Sequence, residues 1–245
     1  MINLDGKRAL VCGGTSGIGK AAAASLQENG AEVIIISRSA SGKNSISCNL
    51  EDLDSLRTLV SKEIETNGPF QILINNSGGP PSGPLIAAQP HDFEKAFLRH
   101  VLASQTLVQL LLDGMKSSNY GRIVNIISTS VKEPIPGLGV SNTIRGAMAS
   151  WSKTLSKELP PEVTINNVLP GFTNTERLTE LKKTLSDQKG ISQEEVENAW
   201  LSTVPEGRLA DPSELGQVVA FLSSPAASFV RGTSIPVDGG RTGSI

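Results

Sequence analysis

Between Arg8 and Ile36 the chain spells out a strand, a glycine turn, a helix and a second strand, and that order leaves few folds open. Arg8-Ala-Leu-Val-Cys12 is a short apolar run that leads directly into Gly13-Gly-Thr-Ser-Gly17-Ile-Gly19. An alanine-rich helical stretch follows from Lys20 to Asn29, with Gly30 placed as its C-terminal stop. Val33-Ile-Ile-Ile36 is continuous and β-branched, as expected of a strand buried on both faces of a parallel sheet. The four pieces make a βαβ unit.

The alternation continues to the end of the chain. Strands are predicted at Ser45–Cys48, Ile72–Asn75, Arg122–Ile127, Thr164–Val168 and Ser234–Val237. Helices are predicted at about Asp52–Thr66, Asp92–Lys116, Asn142–Leu159 and Ser213–Leu222. Strands alternating with helices imply an α/β fold, a doubly wound parallel sheet covered on both faces. No repeat or linker marks a second domain, so residues 1–245 are expected to form one. Two segments break the spacing. Only about eight residues separate the second and third strands, too few for a crossover helix. Conversely, the stretch from Pro170 to Arg208 is long and carries two polar helices, Glu176–Leu185 and Gln193–Trp200. Residues 175–208 lie after a strand's carboxyl end, where an insertion can act as a lid or as a surface decoration.

Composition narrows the function classes. The formal net charge is −2, with lysines and arginines scattered, so there is no electrostatic footprint for nucleic acid. The leaderless N-terminus Met1-Ile-Asn-Leu and the lack of an 18-residue apolar run point to a cytoplasmic protein without a membrane partner. Cys12 and Cys48 both sit in apolar strand candidates and read as buried thiols rather than a disulfide. His91 and His100 are the two histidines, and no cluster has metal-ligand spacing.

The glycine turn carries the first functional signal. Gly13, Gly17 and Gly19 let the backbone turn sharply, and a helix starting near Ile18 aims free N–H groups and its positive dipole end at an anion. A turn of this kind between a strand and a helix fits a dinucleotide pyrophosphate, with Thr15 and Ser16 beside it. The end of the second strand reads which dinucleotide. An acidic residue there would bind a ribose 2′-hydroxyl, but this chain has Ser37-Arg38, a hydroxyl and a guanidinium suited to a 2′-phosphate. NADP(H) is therefore expected in preference to NAD(H).

With these motifs in view the chain resembles the short-chain dehydrogenase/reductase family from end to end. The glycine spacing is similar to that family's. Asn75-Asn-Ser-Gly78 resembles its Asn-Asn-Ala-Gly motif, and Gly121-Arg-Ile-Val-Asn-Ile-Ile-Ser128 resembles the strand that ends in its catalytic serine. Pro170-Gly171, with Thr173 and Thr175, is similar to the segment that holds the nicotinamide carboxamide, and Val237-Asp-Gly-Gly240 to the last strand. The resemblance implies a Rossmann-type, three-layer α/β/α fold of about seven strands, with the cofactor across the sheet's carboxyl edge and a homotetramer or dimer as the assembly. It implies cofactor contacts from Asn49, Leu50, Asn75, Ser77 and Gly78 as well. Asn49 stands where the family usually has aspartate, and the short link after Arg38 loses most of one helix.

The family's pattern breaks where its proton transfer occurs. Its Tyr-x-x-x-Lys follows the serine by a fixed interval, and counting on from Ser128 reaches Ser141-Asn-Thr-Ile-Arg145. The resemblance thus puts Ser141 in place of tyrosine, Arg145 in place of lysine, and His100 where asparagine is common. Tyr120, the single tyrosine, precedes the fifth strand and does not stand in by register. A serine hydroxyl is a far weaker acid than a phenol of pKa about 10, and arginine stays protonated. Arg145 can still hold the nicotinamide ribose, Ser128 can polarise a carbonyl, and His100, with a reference pKa of about 6.5, can trade protons near neutrality.

Within the family the chain is similar to the 3-oxoacyl-acyl-carrier-protein reductase-like subgroup. It is also similar, through Lys132-Glu-Pro134, Asn142 and the closing Ser244-Ile245, to members that lack the tyrosine and reduce a conjugated C=C bond. Two functions are compatible with this pattern. One is an NADP(H)-dependent reductase of a carbonyl or an activated alkene on a small-molecule substrate. The other is a non-catalytic NADP(H)-binding sensor or assembly protein.

Overall fold

The computed structural model describes residues 2–244; Met1 and Ile245, the second of them part of the closing Ser-Ile pair, lie outside the described residues. Among the described residues seven strands form one sheet: β1 (Arg8–Cys12), β2 (Glu32–Ser37), β3 (Ser45–Ser47), β4 (Ile72–Asn75), β5 (Gly121–Ile126), β6 (Val163–Pro170) and β7 (Ser234–Val237). Their order is β3-β2-β1-β4-β5-β6-β7, and every pairing is parallel. The chain order therefore reverses between β1 and β4, and the crevice beyond their carboxyl ends is where a sheet of this kind binds ligands.

Among the described residues eight α-helices complete the layers: α1 (Gly17–Glu28), α2 (Leu53–Asn67), α3 (Pro90–Phe97), α4 (Ala103–Ser117), α5 (Gly139–Glu158), α6 (Glu176–Lys189), α7 (Gln193–Leu201) and α8 (Pro212–Leu222). On one face α1 and α8 bury Ala22, Ala23, Leu26, Leu215, Val219 and Leu222 against Val11, Ile74, Val124 and Val168 of the sheet. These two helices touch closely because α8 carries Gly216, where a Cβ would lie 2.7 Å from the Ala21 carbonyl oxygen. On the other face α2 and α4 bury Leu56, Val60, Leu107, Leu111 and Met115 against Leu10, Leu73, Ile123 and Ile165, and Trp151 and Leu155 of α5 join them. Each fully buried Leu, Ile, Val or Met among these stabilises the fold by about 1.5–3 kcal/mol.

The short link between β2 and β3 is helix-free, as its length requires. Residues 38–44 fold back as a loop with Gly42 at φ 101°, and Ile35, Ile36 and Ser37 still pair in parallel with Ser45, Ile46 and Ser47. The predicted helix over residues 92–116 is not uniform: α3 passes into a π-helical turn at Leu98–Leu102 before α4. His100 sits in that turn. No helix among the described residues is long and apolar enough to cross a membrane.

Candidate functional site

A cavity of about 530 Å³ opens along the carboxyl ends of the strands. One end is built by the turn between β1 and α1. Asn76 donates from Nδ2 to the carbonyls of Cys12 and Gly13, both at 3.2 Å, and so ties the end of β4 to the turn. A Cβ at Gly13 would lie 2.7 Å from that amide nitrogen, and one at Gly19 2.2 Å from the Gly13 carbonyl. Gly13 and Gly19 are thus demanded by packing of the turn on itself and on Asn76. Gly17, at φ 52°, makes the left-handed step that starts α1. Ser16 at the helix N-cap makes no side-chain cap, so the first N–H groups of α1 face the cavity with the helix dipole behind them.

Beside this turn the end of β2 presents hydroxyls. Thr15 Oγ1 lies 3.4 Å from both Ser37 Oγ and Ser39 Oγ, and Arg38 between them is exposed and in no ion pair among the described residues. Ile18, Asn49 and Leu50 line the same end.

The other end is built by β5, α5 and β6. Ser128 follows β5, and its Oγ accepts from the Ser130 N–H at 3.0 Å, which leaves the hydroxyl proton free to donate. Ser141 and Arg145 are four residues apart in the first turns of α5 and so share a face; both line the cavity. The Arg145 guanidinium is buried and donates to the carbonyls of Ile126 at 2.9 Å and Ser77 at 3.5 Å, with no carboxylate paired to it among the described residues. Burial pushes its pKa down to about 10, which leaves it a cation at neutral pH.

From β6, Pro170 and Gly171 line the cavity, and Gly171 is pinned to β7, since a Cβ there would lie 2.6 Å from that of Asp238. Thr175 lines it too, while its hydroxyl caps α6 by accepting from the Leu178 N–H at 3.3 Å.

Three expected contacts fall elsewhere. Asn75 does not reach the cavity. It is buried in a row of side chains that crosses the sheet: Asn75 Nδ2 donates to Asn125 Oδ1 at 2.8 Å, Asn125 Nδ2 to Asn167 Oδ1 at 2.8 Å, and Asn167 Nδ2 to Ser234 Oγ at 3.0 Å. The pleat turns Asn75 into the sheet's packed face and its neighbour Asn76 toward the glycine turn. Thr173 is buried, with its hydroxyl on the Gly171 carbonyl at 3.2 Å, and sets the shape of its loop. His100 lies behind the cavity wall, its Nδ1 2.7 Å from Ser77 Oγ. Burial first, then the charges of Arg145 and Arg99, hold its pKa well below 6.5 against the raising effect of the Gly78 carbonyl. The imidazole is therefore neutral at pH 7, and the expectation that it trades protons near neutrality is corrected.

Ser77 and Gly78 do line the cavity. So do three residues not expected there: Asn76, Phe172 and Arg241. Leu178 and Leu181 of α6 form one wall, and Trp200 of α7 stacks on Phe172 with ring centroids 5.0 Å apart. Tyr120 is at the opposite end of the sheet, donating to the Ser223 carbonyl at 2.6 Å. Among the described residues no group of three or more His, Cys, Asp or Glu side chains could hold a metal.

Comparison with known proteins accords with this geometry. The family model for Enoyl-(Acyl carrier protein) reductase matches residues 13–242. The 3-oxoacyl-(acyl-carrier-protein) reductase FabG of Vibrio cholerae serotype O1 is 32% identical, covering 98% of this chain and 98% of its own. Among solved structures, the NADPH dependent reductase YwfH, involved in bacilysin biosynthesis, is 25% identical with a TM-score of 0.90, covering 98% of this chain and 99% of that one. An actinorhodin polyketide ketoreductase with NADPH is 27% identical with a TM-score of 0.90 over 100% of both chains.

Proposed function

Since the chain belongs to the short-chain dehydrogenase/reductase family, we propose that it is an NADPH-dependent reductase of a carbonyl or a conjugated C=C bond, working without the family's tyrosine. The observation that carries this reading is the continuity of one cavity from the uncapped α1 N-terminus to Ser128, Ser141 and Arg145. The residues fit the cofactor. The N–H groups of Gly17, Ile18 and Gly19 suit a pyrophosphate, and Arg38 with the Thr15, Ser37 and Ser39 hydroxyls suits a 2′-phosphate. NADPH, when bound there, supplies the hydride.

The protein's own part is electrostatic. Arg145 takes the place of the family's lysine and offers its remaining N–H groups to the nicotinamide ribose, its charge undiminished at neutral pH. Ser128 donates its free hydroxyl proton in a hydrogen bond to the substrate oxygen as negative charge gathers there. A positioned donor of this kind is worth about 10²–10³ in kcat. Ser141 takes the place of the tyrosine and is too weak an acid to act alike. Reduction of a conjugated alkene suits such a site, because the enolate oxygen needs only hydrogen bonds while carbon is protonated by water. Residues 175–208, with Leu178 and Leu181 on the cavity and Trp200 on Phe172, act as the lid. Exposed Phe221 and Phe229 favour a homotetramer or dimer, and a monomer by light scattering would overturn that.

The test is fluorescence titration with NADPH and NADH, followed by a panel of ketones and enones. NADPH binding with oxidation by enones or ketones, and a drop of about 10²–10³ in kcat for Ser128→Ala, is expected. Ser128→Ala at full turnover removes that residue's role. Tight NADPH binding with no oxidation selects the second reading, a sensor or assembly protein, which the remote Tyr120 and neutral His100 favour because they leave the cavity without an acid of moderate strength.

A further inference from the structure

At the Ser128 end of the cavity a second cation, besides Arg145, lacks a counter-charge among the described residues. Arg241 follows β7, and its side chain lies over the Phe172 ring with the guanidinium carbon 4.9 Å from the centroid; Phe172 in turn stacks on Trp200. The guanidinium makes no hydrogen bond and no ion pair among the described residues, and its Nε is buried without an acceptor.

Its presentation is built rather than incidental. Gly239 and Gly240, at φ 63° and 82°, turn the chain back on itself after Asp238. Asp238 locks the turn, accepting from the Gly240 N–H at 3.1 Å, the Thr242 N–H at 2.9 Å and the Thr242 hydroxyl at 2.6 Å. Glu133, on the segment that follows Ser128, accepts from the N–H groups of Gly243 at 2.8 Å and Ser244 at 3.1 Å. The tail thus spans from the Phe172 loop to the Ser128 segment with Arg241 between them. Asp238 and Glu133, the carboxylates that bind the tail, spend their hydrogen bonds on its N–H and hydroxyl groups and form no ion pair with Arg241 among the described residues. A planar cation with free N–H groups, backed by an aromatic ring in a cavity, is suited to a bidentate carboxylate.

We propose that Arg241 binds a carboxylate of the substrate, so that the protein acts on an oxo acid or an unsaturated acid rather than on a neutral ketone or enone. The inference rests on reading this cavity as a reductase site, and it names the substrate class.

The test is calorimetric titration of the protein–NADPH complex with 3-benzoylpropionate and 3-benzoylacrylate, each against its methyl ester. The expected result is at least tenfold tighter binding of an acid than of its ester. Arg241→Met, which keeps the length of the side chain over Phe172, abolishes the difference by weakening the acid alone, and Arg241→Lys retains part of it. Unchanged NADPH affinity in both variants shows that the fold and the cofactor end are intact. Equal binding of acid and ester, no binding of either acid, or an Arg241→Met defect confined to NADPH itself overturns the proposal, the last outcome assigning Arg241 to a cofactor phosphate. NADPH oxidation by the same compounds reports separately on the reductase reading: acid-selective binding without oxidation sinks that reading and leaves the carboxylate site standing.

Discussion

Ser77 Oγ lies 2.7 Å from His100 Nδ1, and this contact joins the end of β4 to the π-helical turn between α3 and α4. The serine faces the cavity on one side and a buried, neutral imidazole on the other. The pair places a polar group behind the cavity wall without placing a titrating acid in the cavity.

The depressed pKa of His100 makes a statement about stability. In the unfolded chain the imidazole binds a proton below about 6.5, whereas in the folded protein it resists doing so. The unfolded state then holds more protons, so stability is full above pH 6.5 and falls progressively as pH drops from there toward the folded pKa. Thermal unfolding of the wild type from pH 8 to 5 is expected to show this loss, and His100→Asn to show a shallower slope over the same window. Parallel slopes would mean that His100 is not held neutral by its surroundings.

The asparagine row is expected to matter for folding. Asn125 is wholly buried and is both acceptor for Asn75 and donor to Asn167. Asn125→Ala strands one donor and one acceptor in the core, at about 1–3 kcal/mol each. A fall in Tm of roughly 4–24 °C follows for a chain of this size. A change of a degree or less in differential scanning calorimetry would show that the row relaxes around the gap.

The alternation of apolar runs and amphipathic stretches made the sheet legible before any coordinates, because strands buried on both faces have little choice but continuous Val, Ile and Leu. β1, β4 and β7 run over the residues expected of them, whereas α1 starts at Gly17 rather than Lys20 because the Lys20 N–H already bonds back to the Ser16 carbonyl at 3.1 Å. The π-helical turn left no trace, since one extra residue in a helical turn barely disturbs the apolar period. Asn75 and Asn76 are adjacent and chemically alike, so only the pleat distinguishes the residue in the sheet from the one on the glycine turn. Arg241 was hidden for a different reason: its partner Phe172 is far away in sequence, and the local clue was a Gly-Gly pair that reads equally well as a plain turn.

The two thiols are expected to behave alike toward reagents in spite of the cavity beside one of them. Burial pushes Cys12 up to about 12, with Cys48 raised for the same reason, so neither is a thiolate at pH 8. A disulfide-exchange reagent should titrate no thiol in the native protein and two in denaturant. Rapid labelling of Cys12 in the native state would contradict its burial.

Cofactor choice offers the sharpest separation of the two ends of the cavity. Arg38 is the one cation within the cluster of Thr15, Ser37 and Ser39 hydroxyls, and nothing in the protein neutralises it among the described residues. A hydrogen bond to a charged group contributes about 1.5–3 kcal/mol, or roughly 10- to 100-fold in affinity. Arg38→Ala should therefore weaken NADPH by that factor while leaving NADH nearly unchanged, because NADH carries no 2′-phosphate for the guanidinium to meet. Arg38→Asp should go further and reverse the preference, since a carboxylate at the end of β2 repels the phosphate and accepts from the ribose hydroxyls. Fluorescence titration with both nucleotides measures each ratio directly. Equal losses for NADPH and NADH would place Arg38 on a part common to both, and the hydroxyl cluster would then have to discriminate without it.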